Sequence, residues 1–267
     1  MRKMRIRWRT LQNVGRSGNS LGLACGQHKP MTYVLHYAPD NASLIVRLAL
    51  EELELPYRTV LVDRSVKAQT TKEYRAINPA GLIPAMETPQ GTLFETAAIL
   101  LWLTEQHGAM APSPQDPQRS QFLKWLFFAS NTLHAQLRIS FYPDQYAGED
   151  TAAQTALRRH LQTAHPGRVN LPGALRLLDD FYAQDPNQNR VQPWVLDCYV
   201  AAMLRWCGLY PKGNTQWFQL TEYPALLNLA KRIETRPSAE RVAKAEGLGP
   251  KPFSEPMPAN PPEGTAI

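Results

Sequence analysis

The chain has 267 residues, 43% of them hydrophobic and 19% charged, which suits one large or two ordinary domains with a sizeable core. No apolar run approaches the ~20 residues that a membrane-crossing helix requires, which excludes a helical membrane protein. The formal net charge of +6 belongs to one end: residues 1–30 hold seven Lys and Arg and no acid, while the remainder has 22 basic against 23 acidic residues, so the folded part is not expected to bind nucleic acid.

Residues 1–30 read as a basic leader. They lack the apolar core of a secretory signal; they are Arg-rich, as a mitochondrial presequence is, but Met31 opens onto a well-formed strand. The expectation is therefore a disordered tail or sequence upstream of the native start. Gly18–Gly22 (GNSLG) matches the hydrolase elbow pattern, but with no strand before it and no helix after it the match is chance. Cys25 lies in this leader, and Cys198 and Cys207 fall on opposite faces of one predicted helix. With no disulfide framework and no CxxC, the cysteines fit a reducing, cytoplasmic setting.

From Met31 the pattern predicts a strand (Tyr33–Tyr37), a helix (Ser43–Leu53), a strand (Tyr57–Val62) and a helix (Lys67–Ala76). Then comes NPAGLIPAMETPQGTLFETAAILLWLTEQHG, residues 78–108, with a turn, a short strand entered at Pro84, a turn at Pro89-Gln90-Gly91, a second strand and a helix opening at Glu95-Thr96. This β-α-β-α-β-β-α order is the thioredoxin-like arrangement without its CxxC. The closing helix, AAILLWL, is apolar on nearly every side and is expected to be buried all round between two domains.

His107–Pro117 contains Gly108, Pro112, Pro114 and Pro117, a linker composition. Beyond it the pattern is helical, over Gln118–Ser140, Thr151–Ala164, Val169–Tyr182, Trp194–Tyr210 and Tyr223–Glu246, and from Gly247 six prolines exclude regular structure. The expected class is α/β plus all-α: a leader (1–30), a thioredoxin-like domain (31–108), a linker (109–117), a helical bundle domain (118–247) and a Pro-rich tail (248–267), extended and either free or laid on the helices.

The chemistry concentrates in residues 78–108. A proline cannot donate to a sheet ladder, so Pro84 belongs at a strand's first residue or at an edge. Thr96 sits at a helix N-terminus, whose unpaired N–H groups suit a carboxylate, and Glu95 beside it suits an ammonium. Such a site fits a peptide with an α-amino acid head, which is the shape of glutathione. The segment resembles the glutathione-binding half of the glutathione transferase superfamily, with its Asn-Pro-x-Gly-x-Val/Ile-Pro element and its Glu-Ser pair, Thr96 standing for the Ser. The resemblance implies that Ile83 pairs with the cysteinyl backbone of glutathione, that Pro84 is cis, and that Glu95 and Thr96 hold the γ-glutamyl end.

A glutathione thiol near pKa 8.5 gains from a hydrogen-bond donor or a helix N-terminus beside it. The turn Tyr37–Leu44 (YAPDNASL) supplies both and is similar to the Beta-class turn Tyr-Ser-Pro-Gly-Ala-Cys-Ser-Leu. The Beta cysteine falls on Ala42, so disulfide chemistry through a protein thiol is not expected. Ser43 is the first candidate donor to sulfur, Asn41 the second and Tyr37 the third; each has a plainer use, as helix cap, turn residue or packed strand end. The sets found in maleylacetoacetate isomerases and in bacterial disulfide-bond reductases of this superfamily are not intact at Asp40–Ala42.

Leu133-His134 resembles a Leu-His pair facing the second-substrate site of Beta-class members, and Asn131, His134, Arg138 and Tyr142 follow at helical spacing, either as that site or as a solvated polar stripe. No metal-binding pattern is present; His160 and His165 are poorly spaced for one. Val195-Leu196-Asp197 matches the family, but Trp194 replaces its Ser or Thr, so no capping box is expected there, with Gln192 a weaker cap. The resemblance thus implies glutathione as co-substrate, a small electrophile and a homodimer. The other readings are a non-catalytic glutathione- or protein-binding member and a glutathione-dependent peroxide or disulfide reductase.

Overall fold

The structure, a computed structural model, describes residues 33–185 and 190–266. The expectations for the leader, its GNSLG and Cys25 lie outside the described residues.

Strands β1 (Tyr33–Tyr37), β2 (Tyr57–Leu61), β3 (Ala85–Thr88) and β4 (Gly91–Phe94) form one sheet in the order β2-β1-β3-β4. β1 and β2 are parallel, and helix α1 (Ser43–Glu52) makes the crossover that a parallel pair requires; the other two pairings are antiparallel. Pro84 immediately precedes β3, where no ladder donor is required of it. The second predicted helix starts later than expected. Ala68–Thr70 is a single 3-10 turn, and Thr71 then caps α2 (Lys72–Ile77), its hydroxyl accepting the Tyr74 N–H at 3.3 Å.

Helix α3 (Thr96–His107) follows β4, but it is not buried all round: Ala98 and Glu105 are exposed, and Leu101 and Trp102 are half-buried. Helix α1 is more enclosed than α3. It is packed against β1, α3 and two later helices, Val195–Leu209 and Pro237–Glu246, with Ser43 to Leu50 buried. Its sequence concealed this because Arg47 interrupts the apolar run; the guanidinium is buried against Glu246 at 3.0 Å.

The helical part comprises α4 (Arg119–Phe128), a π-helical turn (Ala129–His134), α5 (Ala135–Phe141), α6 (Asp144–Ala147), α7 (Thr151–Gln162), α8 (Leu171–Ala183), α9 (Val195–Leu209), α10 (Pro224–Glu234) and α11 (Pro237–Glu246). The long predicted helix over 223–246 divides because Pro237 disfavours helical backbone at Arg236, which is extended. Half of a capping box forms on α9. Asp197 Oδ2 accepts the Trp194 N–H at 3.0 Å, whereas the indole has no acceptor to return the bond, and Gln192 caps nothing there, its Oε1 accepting the Met110 N–H at 3.3 Å.

The Pro-rich tail lies against the helices. Gly247 has φ 65°, and a Cβ on it would meet Asn260 O at 1.9 Å, so the chain folds back tightly there. Phe253 is 1% exposed, and burying such a ring contributes up to about 3 kcal/mol. Arg205, within α9, donates to the carbonyls of Leu248, Pro252 and Met257 at 3.4, 3.1 and 2.9 Å. Among the described residues no helix is long and apolar enough to cross a membrane.

Candidate functional site

The turn between β1 and α1 is fixed by one buried aspartate. Asp40 has φ 49°, a left-handed conformation that aspartate tolerates better than most residues. Its carboxylate accepts Arg205 Nε at 2.8 Å and Nη2 at 2.9 Å, Trp206 Nε1 at 2.9 Å and the Tyr210 hydroxyl at 2.6 Å. Its own N–H donates to Glu246 Oε2 at 2.9 Å. Three segments, the turn, α9 and α11, are thereby locked together. Burial pushes the Glu246 carboxyl up to about 7, against the pull of Arg47.

Asn41 and Ala42 project from this turn into a cavity of about 920 Å³. Asn41 Oδ1 accepts the Ala42 N–H at 2.8 Å, and its Nδ2 donates to no partner among the described residues. The other two thiol candidates are elsewhere. The Ser43 hydroxyl is 0% exposed and turned to Ala38, donating to its carbonyl at 2.9 Å and accepting its N–H at 3.3 Å. It is not in the cavity wall, and its oxygen is taken up in closing the turn. Tyr37 is buried with its hydroxyl donated to Glu263 of the tail and is likewise outside the wall.

The residues that the sequence marks for holding the peptide come together along one side of the cavity: Ile83, Pro84, Glu95 and Thr96. The Ile83–Pro84 bond is cis. The preceding loop is shaped by Asn78, whose Nδ2 donates to Leu82 O at 2.7 Å and whose Oδ1 accepts the Ala80 N–H at 3.0 Å; the Tyr74 hydroxyl adds a second bond to Leu82 O at 2.7 Å. Neither backbone group of Ile83 pairs with a described residue, so both can meet an extended ligand. Glu95, at φ 71°, starts α3 without capping it through its side chain. The first N–H groups of that 12-residue helix are therefore left for an anion.

The opposite side comes from the helical part. His134, Arg138 and Tyr142 all line the cavity, as do Ser130 and Asn131 of the π-helical turn, an irregularity frequent at functional sites. His134 Nδ1 lies 2.8 Å from the Tyr199 hydroxyl, and its ring is tilted against Trp206 at 5.5 Å. One edge of the imidazole reaches the cavity, yet the surrounding protein desolvates it, and burial followed by Arg138 lowers its pKa to about 4. It is a neutral imidazole at physiological pH. The Tyr142 hydroxyl accepts Arg64 Nη2 at 2.8 Å.

Of the site residues marked in the sequence, Asn41, Ile83, Pro84, Glu95, Thr96, His134, Arg138 and Tyr142 share one cavity, and Ser43 and Tyr37 do not. Missed were the Asp40–Arg205 clamp and the tail, whose Ala266 also lines the cavity and accepts Arg64 Nη1 at 2.9 Å. The clamp had a signal: Arg205 stands in the apolar run VAAMLRWCGL, and an arginine there calls for a buried partner.

Comparison with known proteins agrees with this geometry. The Glutathione S-transferase, N-terminal domain family matches residues 42–106. The glutathione S-transferase-like protein gedE of Aspergillus terreus is 36% identical over 212 residues, which are 75% of this chain and 89% of that protein. The disulfide-bond oxidoreductase YfcG of Escherichia coli is 28% identical over 223 residues, 80% of this chain and 96% of that protein. A sphingomonad glutathione S-transferase solved in complex with glutathione superposes with a TM-score of 0.62 at 28% identity, covering 81% of this chain and all of that one. With its thioredoxin-like first part, its helical second part and the shared cavity between them, the chain belongs to the glutathione S-transferase family.

Proposed function

We propose that this protein is a glutathione transferase-like enzyme that binds glutathione and activates its thiol for attack on a small electrophile. The observation that carries this is the single cavity in which Ile83, Pro84, Glu95 and Thr96 stand beside the Asn41 turn and opposite His134, Arg138 and Tyr142. Glutathione lies extended, its cysteinyl backbone paired with Ile83, its γ-glutamyl carboxylate at Thr96 and the N-terminus of α3, and its ammonium at Glu95. Asn41 Nδ2 and the positive end of α1 stabilise the thiolate, whose proton passes to solvent. Ser43 is left out of the chemistry because its oxygen serves Ala38.

Titrating glutathione calorimetrically into the full chain and into Glu95→Ala tests the binding step. Saturable binding that is lost or weakened about tenfold or more in the variant, in line with a charge-assisted contact of about 1.5–3 kcal/mol, supports it; no binding at millimolar glutathione overturns it. The homodimer belongs to the same proposal, supported by the apolar surface at Phe94 (37% exposed) and Phe127 (45% exposed). So does the division into domains at 109–117, supported by the irregular segment between α3 and α4. A second reading, glutathione-dependent disulfide reduction, draws on the similarity to YfcG. With Ala42 where the Beta class has cysteine, glutathione itself supplies both sulfurs, and turnover of a model mixed disulfide distinguishes it.

A further inference from the structure

The charged groups in the cavity wall are unevenly matched. Asp40 is neutralised by Arg205, and Glu95 is the other acid, whereas Arg64, Arg75, Arg138 and Lys212 all line the cavity. Elsewhere in the fold seven arginines, Arg47, Arg119, Arg190, Arg205, Arg232, Arg236 and Arg241, each meet a carboxylate, while Arg158 and Arg176 rest on a carbonyl and an aromatic ring. Among the described residues none of the four cavity cations meets a carboxylate. Arg64 is held by Ala266 O and the Tyr142 hydroxyl, and Arg138 by Gln145 Oε1 at 2.9 Å and the Tyr146 hydroxyl at 3.3 Å. The side chains of Arg75 and Lys212 make no hydrogen bond to a described residue.

Glutathione accounts for one of them. On the reading above, one of its carboxylates goes to α3 and its ammonium to Glu95, which leaves the glycyl carboxylate for Arg75, whose guanidinium lies by Gly81 near the Ile83 loop. Three cations remain, and they line the cavity together with Phe141, Tyr142 and Tyr210. Arg64 touches Tyr142, Arg138 lies one helical turn before Tyr142, and Lys212 follows Tyr210-Pro211, where the Tyr210 ring meets Phe141 edge-on at 6.1 Å. Like charges converging on aromatic walls repel one another until an anion enters.

Resting on the proposed function, we infer that the second substrate is an anion: a flat, apolar electrophile carrying a carboxylate or another oxyacid group, which Arg138 and Lys212 receive with Arg64 behind them. The aromatic walls hold its body and the cations orient its charged end away from the thiolate.

The test uses the full chain, glutathione, and three S-aryl glutathione conjugates that differ only in the para group of an ortho-nitrophenyl ring: carboxylate, sulfonate or carboxamide. Calorimetry is expected to find the two anionic conjugates at least about tenfold tighter than the carboxamide, about 1.4 kcal/mol. That ratio should shrink with added salt and fall below about threefold in the Arg138→Gln/Lys212→Gln double variant. A preference for carboxylate over sulfonate assigns a planar acid; equal preference assigns charge alone. A ratio near one in the wild-type chain, or one insensitive to both salt and the substitutions, overturns the inference while leaving glutathione binding intact. If neither glutathione nor any conjugate binds, the proposed function falls and the inference with it.

Discussion

Replacing Asp40 by alanine removes the acceptor for both Arg205 nitrogens, the Trp206 indole and the Tyr210 hydroxyl at once. Arg205 is 0% exposed and keeps only carbonyl partners, which leaves a buried charge without its counterion. Breaking such a pair from one side costs about 3–5 kcal/mol, a large share of a total stability of about 5–15 kcal/mol. With a urea m-value of about 3 kcal/mol/M, the unfolding midpoint should fall by more than about 1 M. Part of that loss is the left-handed backbone at residue 40, which alanine tolerates less well. The double variant Asp40→Ala/Arg205→Met carries the same backbone penalty but no orphaned guanidinium, so it should be about 2 kcal/mol more stable than Asp40→Ala alone. Glutathione affinity should fall in the single variant, since Asn41 is adjacent. A loss under about 1 kcal/mol, or losses that simply add in the double variant, would refute the clamp.

Two buried groups should tilt the pH dependence of stability in opposite directions. Glu246, raised to about 7, binds its proton more tightly folded than unfolded, so its contribution declines as pH rises from about 4.5 to 7; Glu246→Gln should remove that decline from thermal melts. His134, lowered to about 4, does the reverse, losing stability as pH falls from about 6.5 to 4, and His134→Gln should flatten that limb. Ser43→Ala should lower stability by about 1–3 kcal/mol in urea melts, because both Ala38 backbone groups lose their partner, yet leave the pKa of bound glutathione where it was. Phe253→Ala should cost about 3–5 kcal/mol and loosen the tail, seen as faster amide exchange from residue 248 onward.

The order of strands and helices was legible because periodicity, Gly-Pro punctuation and the helix start at Thr96 all act locally. The peptide-holding set was legible for the same reason, since Ile83, Pro84, Glu95 and Thr96 lie within 13 positions of one another. What escaped depends on partners far along the chain. α1 can bury Arg47 because Glu246, 199 residues away, meets its guanidinium; α3, apolar by composition, keeps Ala98 outside. Ser43 and Asn41 are two positions apart in one turn, and which of them faces the cavity is decided by Asp40, held 165 residues away by Arg205. The π-helical turn at 129–134 leaves no mark in a side-chain pattern, yet it supplies Ser130, Asn131 and His134 to the wall.

The most direct test follows the ultraviolet absorbance of the thiolate of bound glutathione across pH, in the wild-type chain and in Asn41→Ala and Ser43→Ala. Bound glutathione should ionise below the value of about 8.5 for a free thiol, the shift should shrink in Asn41→Ala, and Ser43→Ala should match the wild type. An unshifted thiol in the wild-type chain, or a shift abolished by Ser43→Ala and untouched by Asn41→Ala, would contradict it.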